Sequence, residues 1–437
     1  MKIGIIGAGF TGLAAGLDLA KAGHLVTIFD QLSTPGGIAT GFRESDWDWS
    51  LEWHYHHVFE GDKDVLQWLT ELNLRDQLIF YQTLTSTYQR DQFAQLDNPL
   101  SLLQYPRLSF YSKIRTGVSL ALLKLIANGV WMEKYQAKEL IQRWMGQEAW
   151  QMLWAPLFEG KFGNLASQVN AAWFWARVHA RSKRLGYYQG GFLKLAEQVQ
   201  DRLIKKGATV FLNTKISQLR LAKDNRWICS FENKAMNSAK AQKDQFDIIL
   251  FTGNTGQLLS LADRNLSANY RHQLGSLKSL AAMTLVLELD QPFFQKQPIY
   301  WLNINQSNWP FLAVVEHTNL VSATHYDNRH LVYVGKYLSE EDSLFSANLN
   351  QVLTKYHPFL EELSPGYKST LIKAHLFRQK GAQPIVKKNH SQVLPQIETP
   401  IRGLYFAGMQ HVYPYDRGIN YAVKLGRQAA HLIQDHS

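Results

Sequence analysis

The sequence predicts an α/β fold, on three observations. Residues 2–30, KIGIIGAGFTGLAAGLDLAKAGHLVTIFD, read as strand, glycine-rich turn, helix and second strand. Two later stretches, one around residue 200 and one at the C-terminal end, also place glycine between apolar strand-like and helix-like runs. The blocks between these units have a different texture, rich in tryptophan or in alternating apolar runs. A sheet domain assembled from separated parts of the chain, with an α+β domain inserted into it, accounts for all three.

In the first unit Ile3–Ile6 is the opening strand and Leu13–Ala22 the helix, with Gly23 as its stop. Between them lies Gly7-Ala8-Gly9-Phe10-Thr11-Gly12. Gly7 permits a tight turn, Gly9 lets the backbone approach a pyrophosphate, and Gly12 lets helix and strand pack closely. The helix N-terminus after Phe10 and Thr11 offers unpaired N–H groups to phosphate. Leu25–Phe29 is the second strand, and Asp30 ends it, placed to accept hydrogen bonds from ribose hydroxyls. A GxGxxG set between strand and helix, with an acid at the next strand end, marks a Rossmann-like dinucleotide-binding domain.

After Asp30 comes Ser33-Thr34-Pro35-Gly36-Gly37-Ile38-Ala39-Thr40. A glycine pair just past the ribose acid resembles the flavoprotein superfamily of amine oxidases, protoporphyrinogen oxidases and phytoene desaturases. The resemblance implies FAD, with its phosphates and ribityl chain passing Gly36-Gly37. Leu185–Phe192 (LGYYQGGF) and the helix-like Leu193–Lys206 look like that superfamily's re-entry into its FAD domain. Ile216 matches the position it places against the adenine. Phe246–Thr252 (FDIILFT), ending at Gly253, is similar to its strand near the flavin nucleotide.

Gly403–Gly408 (GLYFAG), then Arg417-Gly418-Ile419-Asn420 and the helix-like Val423–Ile433, look like the superfamily's last strand and helix. The resemblance aims that helix N-terminus at the flavin's pyrimidine edge, where it stabilises negative charge. Two positions depart from the pattern. Ile38 stands where members commonly carry Arg or Lys, and Met409 where they often carry an acid for the ribityl chain. The active-site lysine of many amine oxidases has no evident counterpart. On these matches the FAD-binding domain takes residues 1–61, 185–261 and 395–437. The substrate domain takes 62–184, helical, and 262–394, strand-rich, with Thr284–Leu289 and Leu331–Val334 as strands. The polar Asn233–Asp244 reads as an exposed hairpin or loop.

Composition narrows the class. The 437 residues, 46% hydrophobic and 19% charged, belong to a globular chain of two or three domains. The 13 Trp, 19 Tyr and 22 Phe point to a large apolar cavity or a broad apolar surface. The single Cys229 excludes an internal disulfide and a thiolate-rich metal cluster. No charged n-region precedes the first strand, so a cytoplasmic protein is expected.

The net charge of +10 is uneven. Arg107, Lys113, Arg115, Lys124, Lys134, Lys138 and Arg143 stand against only Glu133 and Glu139, so half of the excess lies within 105–145. That stretch contains VSLALLKLIA, too short to span a bilayer. Peripheral contact with the inner face of a membrane through 105–145 is the expectation, beside the alternative of a buried helix with solvated charges. No nucleic-acid motif accompanies the charge.

Residues 51–60, LEWHYHHVFE, hold three histidines. In an extended segment His54 and His56 share one face and His57 the other, too few convergent ligands for zinc, so no metal is expected. His57-Val58-Phe59-Glu60-Gly61-Asp62 resembles a run that UDP-galactopyranose mutases carry beside flavin and sugar, without its second histidine. His57 and His56 are therefore candidate catalytic groups, and bonded core imidazoles are the alternative. Arg417 is a third candidate, for flavin or an anionic substrate, with Asp416 placed to orient it through a bidentate pair. The expected activity is FAD-dependent dehydrogenation or desaturation of a bulky apolar small molecule, isoprenoid-like or porphyrin-like, by hydride transfer to flavin. A redox-neutral mutase acting on a nucleotide sugar and a low-turnover flavin-binding scaffold are the rivals.

Overall fold

Five short apolar strands drawn from distant parts of the chain make one parallel sheet. The computed structural model describes residues 1–233, 242–306 and 308–436. In it the first unit is β1 (Lys2–Ile6), α1 (Phe10–Lys21) and β2 (Leu25–Phe29). The middle unit gives α2 (Phe192–Lys205), β3 (Thr209–Phe211) and β4 (Ile248–Phe251). The last gives β5 (Leu404–Phe406) and α3 (Ile419–Asp435). The sheet order is β3-β2-β1-β4-β5, every neighbouring pair parallel. Strands covered on both faces read as unbroken apolar runs, and α1 packs between α2 and α3 on one of those faces.

The FDIILFT run divides where one continuous strand was expected. Phe246 closes an antiparallel strand, Gln242–Phe246, and β4 starts at Ile248. Asp247 makes the switch: its N–H donates to the Lys2 carbonyl at 2.8 Å, and its carboxylate accepts the Lys2 N–H at 2.7 Å. The partner strand Trp227–Asn233 pairs antiparallel with Gln242–Phe246. Between these strands, residues 234–241 of the expected polar hairpin lie outside the described residues.

A second sheet of seven strands runs in the order Leu371–Pro384, Ser279–Leu289, His330–Leu338, Ala313–Glu316, Ile299–Ile304, Leu84–Gln89, Gln92–Gln95. Its pairs are antiparallel except Ile299–Ile304 against Leu84–Gln89. The stretch 62–184, read as helical, also supplies strands: Leu84–Gln89 and Gln92–Gln95 in this sheet, and Leu78–Gln82, a run of β-branched and aromatic residues, in a separate three-stranded one. The rest of it is helical, including Phe110–Leu125, Ala137–Met145, Ala155–Phe162 and Ala171–Ala180, packed around Trp150, Phe158, Phe162, Trp173 and Trp175.

Candidate active site

The glycine turns leave a cradle that side chains would fill. A Cβ on Gly12 would lie 1.9 Å from the Gly7 carbonyl oxygen, and one on Gly37 would lie 2.9 Å from the Gly9 Cα. Gly7, Gly36 and Gly37 all have positive φ. Thr252, at the end of β4, ties the turn down: its hydroxyl donates to the Ile6 carbonyl at 2.9 Å. Gly253 and Gly408 close on each other, since a Cβ on Gly408 would sit 2.5 Å from the Gly253 oxygen.

Asp30 accepts the Ala8 N–H at 2.7 Å and the Leu32 N–H at 2.8 Å, and burial pushes its carboxyl up in pKa. Each of its oxygens keeps a lone pair for a ribose hydroxyl. The two helices that open on this region, α1 after Gly9 and α3 after Gly418, have no side-chain cap and no acid in their first turns. Their free N–H groups and positive dipole ends suit a pyrophosphate and an anionic ring edge, so the residues present fit FAD.

Several residues expected at the cofactor have side chains engaged elsewhere in the fold. The Phe10 ring is buried edge-on against Trp68, with ring centroids 6.5 Å apart. The Ile216 side chain belongs to a core with Phe29 and Phe231. The Asn420 amide accepts from the Val65 N–H at 3.0 Å, capping the helix Lys63–Glu71. Thr11, Ile38 and Met409 are half-buried, Ile38 within the turn Gly37–Ala39 and Met409 just past Gly408; Ile419 is buried at the start of α3.

The histidine stretch is not extended, which corrects the alternation expected of it. Leu51–Glu52 and Val58–Phe59 are two-residue strands in different sheets, and the residues between them follow an irregular path. His54 Nδ1 shares a 2.7 Å hydrogen bond with Thr284 Oγ1, and His56 Nδ1 donates to the His54 carbonyl at 2.6 Å. These bonds bend the chain back on itself. His57 stands between Phe59 and Trp301, edge to face at 5.0 and 6.2 Å, its buried Nδ1 without a protein partner.

Burial pushes all three imidazoles down in pKa. His57 reaches about 3, with Arg181, His56 and Arg177 adding to the shift. His56 reaches about 4, with Arg417 adding, and His54 also lies well below the ordinary value. All three are neutral at pH 7. The wall around them is aromatic: Tyr55 on Trp301 at 4.8 Å, and Trp53 stacked on Phe377 at 5.4 Å.

Behind this wall lies a cationic cluster. Asp416 Oδ2 accepts from Lys161 Nζ and from an Arg177 guanidinium nitrogen, both at 2.7 Å. The expected bidentate pair between Asp416 and Arg417 is not made. Arg417 gives only its backbone N–H to Asp416, and its guanidinium goes to the Ala382 carbonyl at 2.9 Å and to the Tyr337 hydroxyl. Adjacent residues in this turn point apart, so the carboxylate is left for cations from the helical insertion. Three cations surround one carboxylate.

Lys161, Arg177 and Arg181 were missed from sequence. Arg177 closes an aromatic run, AAWFWAR, whereas Lys161 (LFEGK) and Arg181 (VHAR) carry no comparable signal. Glu52 was missed too. It is fully buried, accepts the Tyr187 hydroxyl at 2.8 Å and the Phe192 N–H at 2.7 Å, and is pushed up by burial to about 7. Among the described residues, His375, Glu288 and Glu44 are the three potential metal-ligating groups that do converge, away from the LEWHYHHVFE histidines.

Fold and cradle together define an FAD-dependent oxidoreductase. The chain belongs to the family described as flavin containing amine oxidoreductase, matched over residues 10–434. It is similar to 15-cis-phytoene desaturase of Synechococcus elongatus, 32% identical over 133 residues, a match covering 28% of this chain and 28% of that relative's length. In structure it is similar to putrescine oxidase (TM-score 0.76, 14% identity, 100% and 99% of the two chains covered). It is also similar to a proposed protoporphyrinogen oxidase of Exiguobacterium sp. 255-15 (TM-score 0.75, 16% identity, 100% and 99% covered).

Proposed function

We propose that the protein dehydrogenates a bulky, mostly apolar small molecule. The observation that carries this reading is the wall formed by Tyr55, His57 and Trp301, aromatic and uncharged at pH 7. FAD held by the Gly7–Gly12 and Gly36-Gly37 turns and Asp30 would supply an acceptor for a hydride equivalent from a substrate carbon. The chain's part is to hold that carbon in a dry, shaped space. Neutral histidines with depressed basicity are poor general bases, and oxidation by hydride loss does not demand one. His57 and Trp301 would position the substrate, and the uncapped first turn of α3 would stabilise negative charge on a reduced flavin. The resemblance of 133 residues to a phytoene desaturase favours an isoprenoid-like substrate over an amine.

A second reading has its own observation. Lys161, Arg177 and Arg417 with only Asp416 among them suit a substrate carrying a phosphate or diphosphate, as a nucleotide-sugar mutase would need. Anaerobic mixing of the yellow holoenzyme with a polyene or a porphyrinogen separates the two. Bleaching of the flavin supports dehydrogenation. No bleaching, with turnover of a nucleotide sugar only after dithionite reduction, overturns it. Inertness to both leaves a flavin-binding scaffold.

A further inference from the structure

We propose that the helix Phe110–Leu125 seats the protein in the surface of an anionic lipid bilayer. The inference does not depend on the reading of the substrate. This helix is inside out. Its buried residues are Ser112, Thr116, Ser119 and Leu123, whereas Phe110, Tyr111, Ile114, Val118, Leu122 and Leu125 are exposed. With 3.6 residues per turn, those six fall on one face, a stripe about 24 Å long. Phe110, Tyr111 and Leu125 are 74%, 73% and 80% exposed. A water-facing helix of a globular protein carries its polar residues there.

The inversion has a built cause. The polar face finds partners inside: Ser112 donates to Glu148, and Ser119 donates to the Arg115 and Trp144 carbonyls at 2.8 and 3.0 Å. Arg115 itself is turned inward onto the Trp144 and Arg143 carbonyls. The apolar side is left outward, with none of the described elements over it. It widens through exposed Leu100 and Leu103 of the helix Pro99–Gln104, which packs against it. A groove of about 470 Å³ between the stripe and Trp144 continues the same surface.

Charge selects the occupant. Trp131 and Tyr135, both exposed and edge to face at 6.5 Å, flank Lys134, and Lys138 is exposed beyond them. That combination of amphipathic rings and lysines suits the headgroup level of a membrane. The acids of the same stretch are occupied: Glu133 holds the Ser391 and Tyr413 hydroxyls at 2.6 and 2.8 Å, and Glu139 pairs with Lys388. No helix among the described residues is long and apolar enough to cross a membrane, so the stripe lies in the plane of the surface. The helix is tied to the segment that carries Arg177 and Arg181. Lys124 donates to the Arg181 and His179 carbonyls, and Arg181 and Arg177 bear on His57.

Cosedimentation of the holoenzyme with phosphatidylcholine vesicles, with and without phosphatidylglycerol, tests the proposal. Binding to the anionic vesicles that weakens with salt is expected, and the double variant Ile114→Asp, Leu122→Asp should lower partitioning by about tenfold or more. Both positions are exposed, so flavin content and melting temperature should not change. Lys134→Glu with Lys138→Glu should abolish the preference for anionic lipid. Ile204→Asp, an equally exposed position on α2, should leave binding intact. Failure of the wild type to bind anionic vesicles, or equal binding by the double variant, overturns the proposal. So does a dimer in velocity sedimentation that the double variant dissociates and vesicles do not, which would assign the face to a second copy of the chain.

Discussion

Lys161 and Asp416 stand 255 residues apart in the chain and 2.7 Å apart in space. Burial pushes the Lys161 ammonium down to about 7 even with that carboxylate against it. Asp416 feels the opposite balance: burial pushes it up, and Lys161, Arg177 and Arg417 together more than reverse this. The carboxylate is therefore the member the cluster cannot lose.

Asp416→Asn should destabilise the fold by about 3–5 kcal/mol, because it leaves the Arg177 and Arg417 guanidiniums without their anion. Lys161→Met should cost about 1 kcal/mol or less, because Arg177 still holds Asp416. Denaturant unfolding of the two variants at pH 7.5 checks the asymmetry. The lysine's pKa is lower folded than unfolded, so between pH 7 and 10.5 the unfolded chain binds more protons and wild-type stability gains relative to Lys161→Met as pH rises.

The histidines work at the acid end. His56 and His57 protonate near 4 and 3 in the fold, against 6.5 when unfolded. As pH falls below 6.5 the unfolded chain takes up protons that the fold refuses, so stability drops by up to about 1.4 kcal/mol per pH unit for each. Melting curves from pH 6.5 to 4.5 should show this slope, and His57→Gln should make it shallower. An identical slope in the variant would mean that His57 titrates in the folded protein.

Glu52 works in the opposite sense to the histidines. Its folded pKa of about 7 lies above the ordinary 4.5, so the contribution of its proton is lost as pH rises from 4.5 through 7. Glu52→Gln keeps an acceptor for Phe192 and an amide donor for the Tyr187 oxygen. The variant should match wild type at pH 5 and exceed it by about 1–3 kcal/mol at pH 8. Thermal unfolding at the two pH values decides it.

Two glycines should separate cofactor from fold. A Cβ at Gly9 is only 3.6 Å from the Gly37 Cα, an ordinary contact, so Gly9→Val should fold but obstruct the approach of a pyrophosphate and lose its yellow colour. At Gly12 a Cβ would strike the Gly7 carbonyl at 1.9 Å. Gly12→Ala should lower stability itself. The ratio of absorbance at 450 and 280 nm, read beside the melting temperature, distinguishes the two outcomes.

What was legible in the sequence follows from how each constraint is written. Gly7, Gly12, Gly36 and Gly37 are backbone requirements, and only one residue type meets them, so identity and spacing suffice. The buried strands of the parallel sheet show as apolar runs for a similar reason. The cluster of Lys161, Arg177 and Asp416 was not legible, because each looks like a surface charge until the helices Ala155–Phe162 and Ala171–Ala180 bring their cations to Asp416. Asp416 and Arg417 were paired from adjacency alone, and neighbouring side chains in a turn diverge. The helix Phe110–Leu125 showed its apolar and basic content in sequence. Its orientation depended on Glu148 and Trp144, which give its serines their partners.

The position of β5 at the edge of the parallel sheet has a consequence for biosynthesis. The sheet needs residues 404–406 beside β4, and the cradle needs α3 beyond them. The helical insertion is synthesised some two hundred residues before that strand, but its core is closed only by Ile385 and Val386. Cofactor capture therefore waits until residues 404–435 have been made, and apolar surfaces of the insertion meet the cell before the enzyme is competent.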